Sequence, residues 1–166
     1  MPATAIRWDR NMGFSLIGLA VVAAVFLPNL LLLPFPPRGE RPVAPPAPLV
    51  FRILERVGQA ACVAVPLFSA AAFDAARIDV WFVLMLICIA GYELLWVRYL
   101  VGGRTYALLF GPVGVVPMPM ALLPVLAFGF AAAWSHSIWI GAAAVVLAVG
   151  HLVVSWRLRT RGARPV

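Results

Sequence analysis

Three ionisable side chains lie within apolar stretches of the sequence, where a charge is costly. Glu93 lies in GYELLWVRYL, Glu55 in FRILERVGQAACVAVP and His151 in AVGHLVVSWRLR. A carboxyl group in apolar surroundings can keep its proton at neutral pH and act as a general acid. A histidine or a second carboxylate can then remove a proton from the reacting molecule. We therefore expect acid–base chemistry, with Glu93 as the acid and Glu55 or His151 as the base.

Four polar or aromatic residues accompany this set. Gln59 follows Glu55 by four residues, so the two share one face of a helix. Tyr92 and Trp96 are also four apart, beside the predicted acid, and aromatic faces stabilise carbocations. We expect these two rings to line a substrate-binding pocket. Gln59 and Asn29, the latter in LPNLLLLPFPP, are predicted to orient the reacting groups and to contact the substrate.

Simpler roles for these residues remain open. Glu55 can form an ion pair with a neighbouring arginine, and His151 can be a neutral histidine bonded to a backbone carbonyl group. Gln59 and Asn29 can join helices through hydrogen bonds without any catalytic role. The two aromatic rings can belong to a belt at the level of the lipid headgroups. Glu93 lacks such an explanation, because no lysine or arginine lies within a helical turn of it.

The composition is that of an integral membrane protein. Of the 166 residues, 64% are hydrophobic and 11% charged, whereas soluble domains average about 25% charged residues. A bilayer core of about 30 Å needs about 20 mostly apolar residues per helix. We expect one all-α domain, a bundle of five transmembrane helices over residues 12–33, 51–72, 80–101, 113–134 and 138–156. The prolines that crowd the start of the fourth segment predict a bent or partly re-entrant entry.

The basic residues, all of them arginine, predict how the bundle is oriented. With five spans, most arginines fall on the face that carries the carboxyl terminus. The positive-inside rule then makes that face cytoplasmic and leaves the amino terminus outside a bacterial-type plasma membrane. The basic tail WRLRTRGARPV is expected to contact anionic lipids, and no nucleic-acid partner is expected.

The polar side chains of the spans concentrate in the half nearer the arginines. A charge near the bilayer centre costs about 2.5–3.5 kcal/mol, so such residues usually face the bundle interior. We therefore expect one polar pocket beneath the cytoplasmic leaflet. The predicted function is an intramembrane enzyme that performs acid-initiated cyclisation or isomerisation of a prenylated or terpenoid lipid.

Two other classes of function remain alternatives. A small transporter or channel needs polar lining through the whole membrane, which the outer halves of these spans do not offer. An accessory membrane subunit could pack through the small residues GAAA at 141–144. Cys62 and Cys88 stand alone, without a C-x-x-C pair. No metal or organic cofactor is expected, the expected partners are membrane lipids and a lipid-like small molecule, and the sequence gives no oligomeric state.

A family resemblance accompanies this interpretation. The landmarks LPNLLLLPFPP, LERVGQAACVAVP, GYELLWVRYL, VPMPMALLPVLAF and GHLVVS together resemble a family of small bacterial multi-span membrane proteins. In size, number of spans and embedded carboxylates the chain is similar to membrane-bound terpene cyclases of indole sesquiterpenoid pathways. The resemblance implies a helical membrane fold and chemistry on prenylated substrates. None of the residue roles above is taken from it.

Overall fold

The computed structural model describes residues 13–39 and 46–162, with side chains as far as residue 159, and this part of the chain is all-helical. The all-α class is therefore confirmed. A short 3-10 helix, Leu27–Leu32, directly follows the first α-helix. The α-helices are α1 (Leu16–Phe26), α2 (Leu49–Leu67), α3 (Ala70–Asp74), α4 (Val80–Val101), α5 (Tyr106–Phe110), α6 (Pro119–Trp134) and α7 (Ile138–Gly162).

Prolines divide two of the segments that the sequence predicts to be continuous. The segment 12–33 changes from α-helix to 3-10 helix where Pro28 cannot donate a backbone hydrogen bond. The side chain of Asn29 donates to the carbonyl oxygens of Val25 and Phe26, at 3.0 and 3.4 Å. The segment 51–72 is broken just after Pro66, and the hydroxyl group of Ser69 donates to the carbonyl oxygen of Val65 at 2.6 Å.

The fourth predicted segment begins later than its hydropathy suggests. Residues 113–118 form a turn in which the backbones of Val113 and Val116 exchange two hydrogen bonds of 3.0 Å. Gly114 has a φ of +55° at that turn, a conformation that glycine adopts readily. Helix α6 starts at Pro119, whose missing N–H is harmless in a first turn. The fifth segment extends beyond its predicted end, since α7 runs to Gly162.

Two glycines bring α2 and α7 into backbone contact. A Cβ atom added to Gly58 would lie 2.5 Å from the Cα of Leu147, and one added to Gly150 would lie 2.6 Å from the Cα of Glu55. Both contacts require a residue without a side chain, since only then can the two backbones approach so closely. Residue 58 faces 147 while residue 55 faces 150, so the two helices run antiparallel. The backbone of Glu55 is thereby placed against the residue before His151.

Helix α4 packs antiparallel to α6 on the other side of the bundle. Near the start of α4, the ring of Trp81 stacks on Phe130, with centroids 6.1 Å apart. Further along α4, Gly91 lies against the side chain of Leu123, earlier in α6. Helix α6 also packs against α7, and the run GAAA contributes buried Ala143 and Ala144 to that interior. The small residues of this run are thus used within the bundle.

Two helices of the described part are long and apolar enough to cross a bilayer, Val80–Val101 and Ile138–Arg159. Two further apolar helices, Leu16–Leu32 and Pro119–Trp134, are shorter. Only 22% of the apolar window of α4 and 33% of that of α7 is buried within the protein. A core helix of a soluble protein would be mostly buried, whereas most residues of these two windows are half-buried or exposed.

Candidate active site

A cavity of about 340 Å³ lies among α1, α2, α4, α6 and α7. It is enclosed mainly by apolar side chains, among them Phe26, Met120, Phe128 and Leu147. The cavity brings together most of the side chains that the sequence singles out. The predicted site residues on its wall are Asn29, Gln59, Tyr92, Trp96 and His151.

His151, in this wall, is paired with Glu55, which lies behind it and lines a second cavity. Nδ1 of His151 lies 2.8 Å from Oε1 of Glu55, and the two side chains are 26% and 17% exposed. Arg52 and Arg56 are close to Glu55 in sequence, yet the carboxylate points to the histidine instead. The two side chains can meet because Gly150, next to His151, lets α7 approach the backbone of α2 at Glu55.

The pairing leaves one nitrogen of His151 available for chemistry. With Glu55 ionised, Nδ1–H donates to the carboxylate and fixes the orientation of the imidazole ring. Nε2 forms no hydrogen bond with the residues described here. That nitrogen can therefore accept a proton as a neutral imidazole or give one as an imidazolium. Glu55 acts on this chemistry through the ring, as a positioning residue.

Tyr92 and Asn29 connect α4 to the 3-10 helix after α1. The hydroxyl group of Tyr92 donates to Oδ1 of Asn29 at 3.1 Å, and the Asn29 amide donates to the backbone of the preceding turn. Tyr92 is only 3% exposed. Both residues line the cavity, so their hydrogen bond joins two helices and fixes two polar groups in its wall.

Trp96 contributes a buried N–H group to the same wall. Its Nε1–H lies near the hydroxyl group of Tyr92 but forms no well-aligned hydrogen bond with residues 13–39 and 46–159. The ring is held edge to face by Tyr92 and Tyr99, with centroids 6.2 and 5.5 Å away. Leaving a buried donor unsatisfied costs about 1–3 kcal/mol. A buried N–H beside a cavity is well placed to donate to a bound ligand.

Glu93 lies apart from this cavity. It lines a shallow groove on the outer side of α1 and the 3-10 helix, formed with Ala23, Ala24, Leu27, Pro28 and Leu31. Successive helical residues are about 100° apart around the axis, so Glu93 cannot face the same way as Tyr92. The structure does not bring Glu93 together with His151, and its role as an acid stays a prediction.

One residue of the wall is absent from the sequence-based set. Ser155 is 5% exposed and lines the cavity one turn after His151 on α7. The i, i+4 spacing of the two residues was the available signal, since it places both on one helix face. Tyr99 continues the aromatic face of α4, and its hydroxyl group donates to the carbonyl oxygen of Phe35 at 2.8 Å.

Few side chains near the cavity could bind a metal ion. Within the part of the chain that the structure describes, no three His, Cys, Asp or Glu side chains come close enough to hold a metal ion. Cys62 and Cys88 are buried as separate free thiols. Comparisons with protein-family models, curated proteins and solved structures gave no match to this chain.

Proposed function

We propose that this protein is a multi-pass membrane enzyme that moves protons on a prenylated or similarly lipid-like substrate. The observation that carries the proposal is that His151, in the wall of a largely apolar cavity, is held from behind by Glu55. Proton-transferring groups require a fixed position relative to the substrate, and the carboxylate supplies it for the imidazole. An apolar cavity suits an isoprenoid chain, and the Trp96 N–H suits a polar atom at one end of it.

The five-span arrangement is part of this proposal. The two long helices α4 and α7 form its centre. The shorter apolar helices, α1 with its 3-10 extension and α6, and the α2–α3 unit would supply the other spans. A helix shorter than the bilayer is accommodated by local thinning or by its flanking residues.

The distribution of arginines supports the orientation. The antiparallel packing places the carboxyl-terminal ends of α1, α4 and α7 at the same end of the bundle as the start of α2. Among the arginines whose side chains the structure describes, only Arg77 lies at the opposite end, near Trp134. The positive-inside rule makes the arginine-rich end cytoplasmic, with the cavity in that half of the bundle.

The reaction that suits this site best is an isomerisation. Protonated His151 would give its Nε2 proton to a carbonyl or epoxide oxygen, while Trp96 donates a hydrogen bond to the polar end of the substrate. The resulting electron-poor carbon lies near the rings of Tyr92 and Trp96. The neutral imidazole then removes a proton from a neighbouring carbon atom and returns to its starting state. No net proton is consumed, as an isomerisation or a cyclisation requires.

The test is turnover by purified protein in lipid nanodiscs with a panel of prenylated ketones and epoxides. His151→Gln removes the titrating ring, and we expect a loss of turnover of about 100-fold or more. The matched control is His136→Asn, since His136 is the other histidine of the chain and is exposed outside the cavity. Turnover by His151→Gln at the rate of the control would refute the proposal.

A further inference from the structure

A second cavity, of about 610 Å³, is lined by Glu55, whose partner His151 lines the first. It is formed by the residues before α2, the first turns of α2 and the last turns of α7. This is the arginine-rich end of the bundle. Its lining combines charged and apolar side chains, including Arg52, Arg56, Arg157, Leu49, Ile53 and Leu158.

The charge of this cavity is strongly positive. Among the described residues, three arginines and one carboxylate line it, and that carboxylate, Glu55, is engaged by His151. Arg52 and Arg56 are four residues apart on α2 and share a helix face. Neither forms an ion pair or side-chain hydrogen bond with the described residues. Such a site is stabilised by an anion, and guanidinium groups bind phosphate through paired hydrogen bonds.

The start of α2 adds to this preference. Helix α2 is 19 residues long, and its N-cap residue is Pro48, whose side chain has no oxygen to accept hydrogen bonds from the first turn. Uncapped backbone N–H groups at a helix N-terminus favour negative charge. The helix end and the arginines thus favour the same kind of ligand.

The apolar part of the lining points to a lipid and not to a soluble anion. Leu49 and Ile53 are 66% and 51% exposed beside the arginines. Exposed apolar side chains next to guanidinium groups match a molecule with a charged head and a hydrocarbon chain. Basic pockets between membrane helices on the cytoplasmic side are known to bind lipid headgroups.

We propose that this second cavity binds the phosphate group of an anionic phospholipid, with Arg52 and Arg56 on the phosphate. Leu49 and Ile53 lie along the start of an acyl chain. The proposal rests on the membrane placement given above and not on the reaction at His151. Alkaline extraction of membranes tests this placement separately, and an integral protein is expected to stay in the membrane fraction.

The experiment is native mass spectrometry of the full chain in neutral detergent, titrated with phosphatidylglycerol or phosphatidylcholine. We expect tighter binding of phosphatidylglycerol, and a loss of about tenfold or more in its affinity for Arg52→Gln/Arg56→Gln, because charge-assisted hydrogen bonds are lost. The matched control is Arg98→Gln, since Arg98 is an exposed arginine at the same end but outside the cavity. The control is expected to bind like the unmodified protein.

Two results would overturn the proposal. One is equal affinity of the double variant and the control for phosphatidylglycerol. The other is displacement of the lipid by inorganic phosphate at equal concentration, which would make the site one for free phosphate. If the double variant does not fold, the single variants Arg52→Gln and Arg56→Gln replace it, and each is expected to bind phosphatidylglycerol more weakly than the control.

Discussion

Replacing Gly150 with alanine tests how the fold builds the Glu55–His151 pair. The added Cβ atom would lie 2.6 Å from the Cα of Glu55 and 2.8 Å from the carbonyl carbon of Leu54. Ordinary contacts of this kind are 3.4–4 Å long, so α2 and α7 must move apart by about 1 Å. A shift of that size lengthens the 2.8 Å hydrogen bond of His151 beyond the range in which it is effective.

We expect Gly150→Ala to lower the free energy of unfolding by about 1–3 kcal/mol, the usual cost of overpacking. Turnover should fall as well, because the imidazole loses its positioning partner. Both effects are measurable on one preparation, by thermal unfolding in detergent and by the substrate panel. The matched control is Gly129→Ala on α6, where an added Cβ atom meets nothing within 4 Å. Unchanged stability and turnover in Gly150→Ala would refute the reasoning.

Three further changes separate the roles of individual side chains. Glu55→Gln keeps the shape of the positioning residue and removes its charge. We expect turnover to fall about 10- to 100-fold with little change in thermal unfolding. Unchanged turnover would contradict its positioning role. Trp96→Phe keeps an aromatic ring but removes the N–H and part of the ring volume. We expect substrate affinity to fall, and the cavity left behind to offset the relief of the buried N–H in the unfolding temperature. Unchanged affinity would argue against a donor role. Glu93→Gln distinguishes two hypotheses about the general acid. If Glu93 is the acid, the variant is expected to fold but to lose turnover. If His151 is the acid, its turnover should be near that of the unmodified protein.

Hydropathy alone predicted the helical class and the approximate position of every long helix. Apolar side chains are numerous enough to decide this without knowledge of tertiary contacts. The ends of the helices were less predictable, since Pro28, Pro66 and Pro119 each affect the helix in a different way. Pro28 tightens a helix, Pro66 precedes its end, and Pro119 begins one. Hydropathy does not distinguish these effects.

The sequence predicted how far along each helix the site residues lie, but not toward which neighbouring helix their side chains point. The sequence placed Glu93 and His151 at a similar depth, five and six residues before Arg98 and Arg157, and Glu55 in the first turns of its helix. Which side of each helix faces the interior depends on neighbours, and for α2 and α7 it depends on where Gly58 and Gly150 permit contact. Adjacent residues on a helix are about 100° apart, and in the structure Tyr92 lines the cavity while Glu93 lines the outer groove.

The central claim is that Glu55 holds the His151 ring by Nδ1 and leaves Nε2 facing the cavity. Nitrogen-15 NMR of histidine-labelled protein in nanodiscs measures this directly, because the chain has only two histidines and His136→Asn leaves a single ring to observe. We predict a protonated, strongly hydrogen-bonded Nδ1 whose proton signal is lost in Glu55→Ala, with Nε2 as the nitrogen that responds to substrate. A ring whose two nitrogen signals are unaffected by Glu55→Ala and by substrate would contradict the account.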